Sequence, residues 1–207
     1  QTIGSGGEPG APAVRGVETL NIERMSGFIP VATRAAAFHV DCGMTYSGAA
    51  EDEIIGLWYI EGETVSILAD GGVHPPRTVV NGRIKLEANA STVHIGLPYT
   101  GRVQTLPLAL EGVAADGSGR PRNVNKVWLR LHQTGGLFAG PTFADADMAE
   151  VKPLTAEADG DAPPLMSGLH EQVIYPSWND EGAVCVEQRD PLPAVITAMT
   201  IEAEFGG

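Results

Sequence analysis

The stretch Val93-His94-Ile95-Gly96-Leu97-Pro98-Tyr99-Thr100-Gly101-Arg102 gathers an imidazole, a phenol, a hydroxyl and a guanidinium, with glycines on either side that let a backbone wrap a ligand. Such a set can move protons and hold an anion. The other polar groups are more dispersed. Of the five histidines, His39, His74, His94, His132 and His170, only His39 stands at ligand spacing from a Cys, Cys42, and no second pair completes the set a zinc ion needs. The sequence therefore predicts no metal and no cofactor. Asp145-Ala146-Asp147 and Asp159-Gly160-Asp161 offer carboxylates to calcium or magnesium, but neither continues into an oxygen-rich loop closed by Glu, and both read as solvated acidic loops. Glycosidase chemistry needs two carboxylates facing across a cleft, and among 26 acidic side chains spacing singles out no pair. There is no Gly-x-Ser-x-Gly elbow, and Ser47 and Ser118 read as turn residues. Cys42 and Cys185 read as reduced, small apolar residues.

The elements that must position these groups are short, rich in β-branched residues and punctuated by Gly, Pro, Asn and Asp, which predicts an all-β protein, an antiparallel sandwich or barrel-like fold with long loops. Expected strands are Val17–Arg24, Ala36–Cys42, Ile54–Ile60, Thr64–Ala69, Arg83–Leu86, Thr92–Gly96, Gln104–Leu110, Asn123–Gln133, Gln172–Tyr175, Ala183–Gln188 and Ala194–Glu204. The clearest alternation puts Val127, Leu129 and Leu131 on one face and Lys126, Trp128, Arg130 and His132 on the other. Asn81-Gly82 is the strongest hairpin cue, and Asp70-Gly71-Gly72 supplies residues that accept positive φ. The opening stretch then reads as a strand over Thr92–Gly96, a turn over Leu97–Gly101 and an outgoing strand, a hairpin rather than a catalytic loop. Pro107 cannot donate to a ladder, so the outgoing strand is expected to be an edge, to be bulged or to switch partners. Residues 1–16 read as a flexible Gly/Pro-rich segment and 17–207 as the β-rich domain, divisible at about residue 112 into 17–112 and 113–207. The segments 112–120 and 141–168 read as loops, the second long and acidic.

At 207 residues the chain can bury about 70% of its unfolded surface and needs no staples. Thirteen basic against 26 acidic side chains leave a net charge of −13, which repels phosphate and argues against gripping nucleic acid. No run approaches the roughly 20 apolar residues that span a bilayer, so no membrane insertion is expected. The start, QTIGSGGEPGAPA, lacks the pattern of a signal peptide, and the chain reads as a fragment, a processed product or part of something longer.

The run His94–Gly112 (HIGLPYTGRVQTLPLALEG), followed by Gly119–Pro141 (GRPRNVNKVWLRLHQTGGLFAGP), resembles the tail nozzle proteins of short-tailed phages, also called tail tubular protein B. Asn21–Met25, His39–Ala49, Gly56–Pro75 and Arg189–Gly207 extend the resemblance colinearly over essentially everything after the Gly/Pro-rich start, matching the C-terminal part of a family whose members are usually several times longer. The resemblance implies a β-rich virion protein of the tail and not an enzyme, made in the host bacterial cytoplasm. It implies a homo-oligomer, a hexameric ring, that meets an adaptor and fibres or spikes and lets genome DNA pass without sequence-specific binding. An acidic lumen suits that passage, and the loop over 141–168 would line or gate the channel. On chemical grounds Trp128, Arg130 and His132 on the wet face of the strongest strand, and the cations Arg120 and Arg122, are the candidate interface residues. Tyr99 and Arg102 are expected to secure the turn or a neighbouring subunit. A carbohydrate-binding sandwich using Trp58-Tyr59, Trp128 and Trp178 as a stacking platform is the alternative, and a hydrolase with a dispersed carboxylate pair a third reading.

Overall fold

A strand that is apolar on one face needs a partner for its backbone and a cover for that face, and packed antiparallel sheets supply both. The computed structural model describes residues 33–108, 121–152, 162–175, 178, 179 and 181–206, with the backbone of a short antiparallel pair, β1 (Thr2–Ile3) and β2 (Val14–Arg15). The protein is nearly all β, built on three antiparallel sheets beyond that pair. The expected strand Val17–Arg24, Arg120, the loop over 112–120 and Asp159-Gly160-Asp161 lie outside the described residues.

The first sheet holds β3 (Asp41–Ile55), β4 (Thr64–Ala69), β5 (Gly72–Thr78) and β6 (Arg83–Leu97) in the order β3-β6-β4-β5. The first part of β6 pairs only with the end of β3, and its last part lies between β3 and β4. Register shifts between Ser47 and Glu53 bend the pair, so that Ile84 and Leu86 from one half of β6 and Val93 and Ile95 from the other meet in one core with Ile54, Leu57, Val65 and Ile67. Each fully buried Ile, Leu or Val there contributes about 1.5–3 kcal/mol against leaving it in water.

The remaining strands are β7 (Gly101–Gln104), β8 (Arg122–Thr134), β9 (Leu137–Gly140), β10 (Ala149–Glu150), β11 (Met166–Val173), β12 (Cys185–Gln188) and β13 (Ile196–Phe205). They form a four-stranded sheet, β10-β9-β12-β7, and a three-stranded sheet, β11-β8-β13. The two sheets share a core drawn from β8 (Val124, Val127, Leu129, Leu131), β9 (Leu137, Ala139) and β12 (Val186), which makes this half a sandwich. Between the halves Ala37, Leu68 and Leu192 form a small apolar plug.

Several elements differ from the sequence expectation. Arg83–Leu86 and Thr92–Gly96 belong to one strand, because Ala90 is buried and pairs with Glu51 across the small polar residues that read as a break. The strand expected over Ile54–Ile60 stops at Ile55: Gly56 takes φ +100°, the backbone N–H groups of Gly56 and Leu57 both donate to the Gly82 carbonyl, and Trp58–Ile60 forms a short 3-10 turn. Ala36–Cys42 likewise begins as a 3-10 turn over Arg34–Ala36, and pairing starts only at Asp41. The largest change concerns the opening stretch. β7 does not return along β6 but pairs with β12, so residues 98–100 carry the chain from one sheet to another and form no hairpin. β7 is an edge strand that ends at Gln104, before Pro107, and backbone bonds resume beside the proline from Thr105 to Val184 and from Leu108 to Glu181.

Candidate functional site

The alternation on β8 is realised in space. Val127, Leu129 and Leu131 are buried; Arg130 and His132 are exposed and Trp128 and Lys126 half-buried on the outer face of the three-stranded sheet. In the same rows across the sheet, Arg130 stands between Leu169 and Ala198, Trp128 between Glu171 and Thr200, and Lys126 between Val173 and Glu202. Leu169 and Val173 are 58% and 54% exposed, so the face mixes apolar side chains with charges of both signs. Lys126 Nζ lies 2.9 Å from Glu171 Oε1, and the carboxylate raises the lysine pKa. Trp128 with its neighbours can bury apolar area against another surface while the flanking charges fix the register, which is the anatomy of an interface core with a polar rim.

The other candidates lie elsewhere. Arg122 is only 4% exposed: its backbone bridges to Asn179 in both directions, its Nη1 donates to the Glu181 carbonyl at 3.4 Å, and Gly182 packs on its stem. It therefore belongs to the protomer interior and does not offer a surface cation. Arg102 lies along its own sheet, exposed but tied to the neighbouring strand. Its Nε donates to Glu187 Oε2 at 2.6 Å, and Arg189 Nε lies 2.8 Å from the second oxygen of the same carboxylate. Arg189 also reaches Asp145 at 3.0 Å and stacks 4.3 Å over Phe138, while Arg102 sits 5.2 Å over Phe143. Asp145, read from the sequence as part of a solvated loop, is 90% exposed and reaches this cluster from the surface. Tyr99 is 47% exposed with its hydroxyl 3.5 Å from His39 Nδ1; burial and then the charge of Asp41 raise the phenol pKa, and burial lowers that of His39.

Sequence spacing gave no sign of two further features. His94 is buried, with Nε2 donating to the Ala35 carbonyl and Nδ1 accepting from the Thr45 hydroxyl, both at 2.8 Å, and Phe38 edge-on to the ring at 5.4 Å. It is a structural imidazole, separated from Arg102 by the change of sheet. Between the two halves lies a cleft of about 550 Å³ bounded by Arg34, Asp70, Gly136, Glu150, Pro163 and Asp190. Arg34 spans it, donating at 2.6 Å to both the Gly71 and the Pro163 carbonyls. Burial, followed by the charge of Glu150, raises the Asp190 pKa against the opposing pull of Arg189 and Arg34. Asp70 is engaged as a turn anchor, accepting from the Ser91 and Thr92 N–H groups.

Among the described residues no group of three or more His, Cys, Asp and Glu side chains is placed to hold a metal ion. The Cys185 thiol is pushed up by burial and then by Glu181, away from the thiolate that a nucleophile requires. Trp58 is in the 3-10 turn that packs on Asn81-Gly82 beside the first sheet, whereas Trp128 is on β8 of the three-stranded sheet. No protein family matches this chain, and no curated protein matches its sequence.

Proposed function

We propose that this chain is a structural subunit of a short-tailed phage tail, one copy of a ring that forms part of the tail tube or nozzle, conducts DNA and anchors fibres or spikes. The reading rests on the resemblance carried by the residues from Asn21 to the C-terminus. The structural observation that supports a role in assembly is a sheet-end strand with no backbone partner on its outer side among the described residues, β13 with 10 residues. A sheet edge exposes a row of unpaired N–H and C=O groups that another chain can complete. The net charge of −13 favours a wall past which DNA slides, since it gives phosphate nothing to hold.

Mass measurement of the purified protein with negative-stain imaging, together with antibody labelling of intact particles, tests this reading. Six-fold rings and label at the tail tip are expected. A protein that stays monomeric and labels no virion component, while binding glycans saturably, would overturn it in favour of a carbohydrate-binding module.

A further inference from the structure

The sheet edges are not equivalent. β5 carries Pro75 and Pro76, β7 and β10 are only 4 and 2 residues long, and β3 is broken by three register shifts and studded with Glu51, Asp52 and Glu53. Each of these is a common way to blunt an edge. β13 has none of them along its middle: Ala198 to Glu202 pair with β8 residue by residue, and register shifts occur only on either side, at Ile196/Ala198 and Glu202/Ala203. Thr200 is the midpoint of that regular run.

We propose that β13 pairs antiparallel with β13 of a second copy about a two-fold axis at Thr200, giving a continuous six-stranded sheet, β11-β8-β13 joined to its symmetry mate. Three relationships select this occupant. β11 and β13 both run antiparallel to β8 and therefore parallel to each other, so joining the sheet head to tail requires a parallel pair, whereas a two-fold axis gives the more common antiparallel one. With Thr200 opposite Thr200, Ala198 falls opposite Glu202 and the half-buried Met199 opposite Ile201, so apolar meets apolar on the core side and no like charges face each other. Finally, Arg130 makes no ion pair within its own chain among the described residues, and Glu202 has only Lys126 beside it in its row, beyond salt-bridge distance and already paired with Glu171. Because Arg130 shares a row with Ala198, the axis brings Arg130 of one copy about two strand spacings, roughly 10 Å between backbones, from Glu202 of the other, with only the small Ala198 between. The two side chains span that gap.

The contact does not rest on the tail reading; it needs only a second copy. Its test is register-specific cross-linking of the full chain under mild oxidation, with the wild type as the baseline for Cys42 and Cys185. Directly opposed Cα atoms of an antiparallel pair lie about 4.5–5.5 Å apart, inside the range a disulfide accepts. Thr200→Cys is expected to form covalent dimers on its own. Ala198→Cys and Glu202→Cys are expected to stay monomeric alone and to cross-link when mixed. In parallel, Arg130→Glu should weaken dimerisation by about tenfold and the double variant Arg130→Glu/Glu202→Arg should restore it, both positions being exposed and tolerant of exchange. Absence of a Thr200→Cys dimer, or equal cross-linking of the single variants and the mixture, overturns the proposal.

Discussion

Arg102 Nε stands 2.6 Å from Glu187 Oε2 across the β7–β12 pair, and the other oxygen of that carboxylate lies 2.8 Å from Arg189 Nε. The Glu187 side chain is 4% exposed while Arg102 is 56% exposed, so the carboxylate is the buried member of the cluster. Glu187→Ala leaves Arg102 without its carboxylate and Arg189 with the exposed Asp145 alone, and is expected to lower unfolding free energy by about 2–4 kcal/mol. Arg102→Ala removes a solvent-screened partner and should cost about 0–1 kcal/mol. Urea unfolding midpoints at equal slope measure both, and equal losses would show that the carboxylate is not the hub.

Trp58 lies over the backbone of Gly82. A Cβ there would come within 2.4 Å of the indole, and Gly82 has φ +67° following Asn81 at +53°, the paired left-handed geometry of a type I′ turn. Glu61 accepts from the N–H groups of both residues, at 2.7 and 2.6 Å. Gly82→Ala must therefore displace the ring as well as strain the turn, and a loss of about 1–3 kcal/mol is expected together with a change in tryptophan fluorescence. A stable variant with unchanged emission would show that the indole does not pack on this turn in solution.

His94 fastens the segment before β3 to the first sheet. Replacing it by Leu leaves the half-buried Ala35 carbonyl without its donor, at a cost of about 1–3 kcal/mol, while the hydroxyl of the exposed Thr45 turns to water. Limited proteolysis should cut near residues 33–40 sooner in His94→Leu than in the wild type, even at temperatures where both stay folded. Unchanged cleavage there would remove His94 from this fastening role.

Asp190 sets a pH dependence with a definite sign. Its folded pKa is raised above the ordinary 3.8 by burial first and by Glu150 second, so the folded state binds its proton more tightly than the unfolded chain. Its ionisation is thus unfavourable to folding above the folded pKa, and that penalty is relieved as pH falls through the folded pKa toward 3.8. Asp190→Asn should be more stable than the wild type at neutral pH, and the difference should shrink on acidification. Melting curves at pH 7 and near pH 4 decide it; a constant difference across that range would contradict the assignment.

Where a feature depended on local chemistry, it was legible in the chain. Asn81-Gly82 and Asp70-Gly71 turn where positive φ is cheap, and the alternation of Val127, Leu129 and Leu131 against Trp128, Arg130 and His132 needs only the two-residue period of a strand. Arg122 shows the limit of that logic: a cation in a polar run reads as surface, yet the Asn179 bridge draws it into the interior, where Arg122→Glu would test folding before any assembly. The Arg102–Glu187–Arg189 cluster was illegible for a related reason, since Arg102 lies 85 residues from Glu187 and no spacing rule joins it to the Glu187-Arg189 pair.

The sequence by itself determined the all-β class, the faces of β8 and the acidic surface, because side-chain alternation, turn chemistry and charge are properties of neighbours along the chain. Tertiary structure alone decided that residues 98–100 cross between sheets, that β7 chooses β12, and that β13 stands at the end of its sheet with a regular middle run. Strand pairing is a competition among distant segments for the same backbone groups, and its outcome depends on which apolar faces can be buried together.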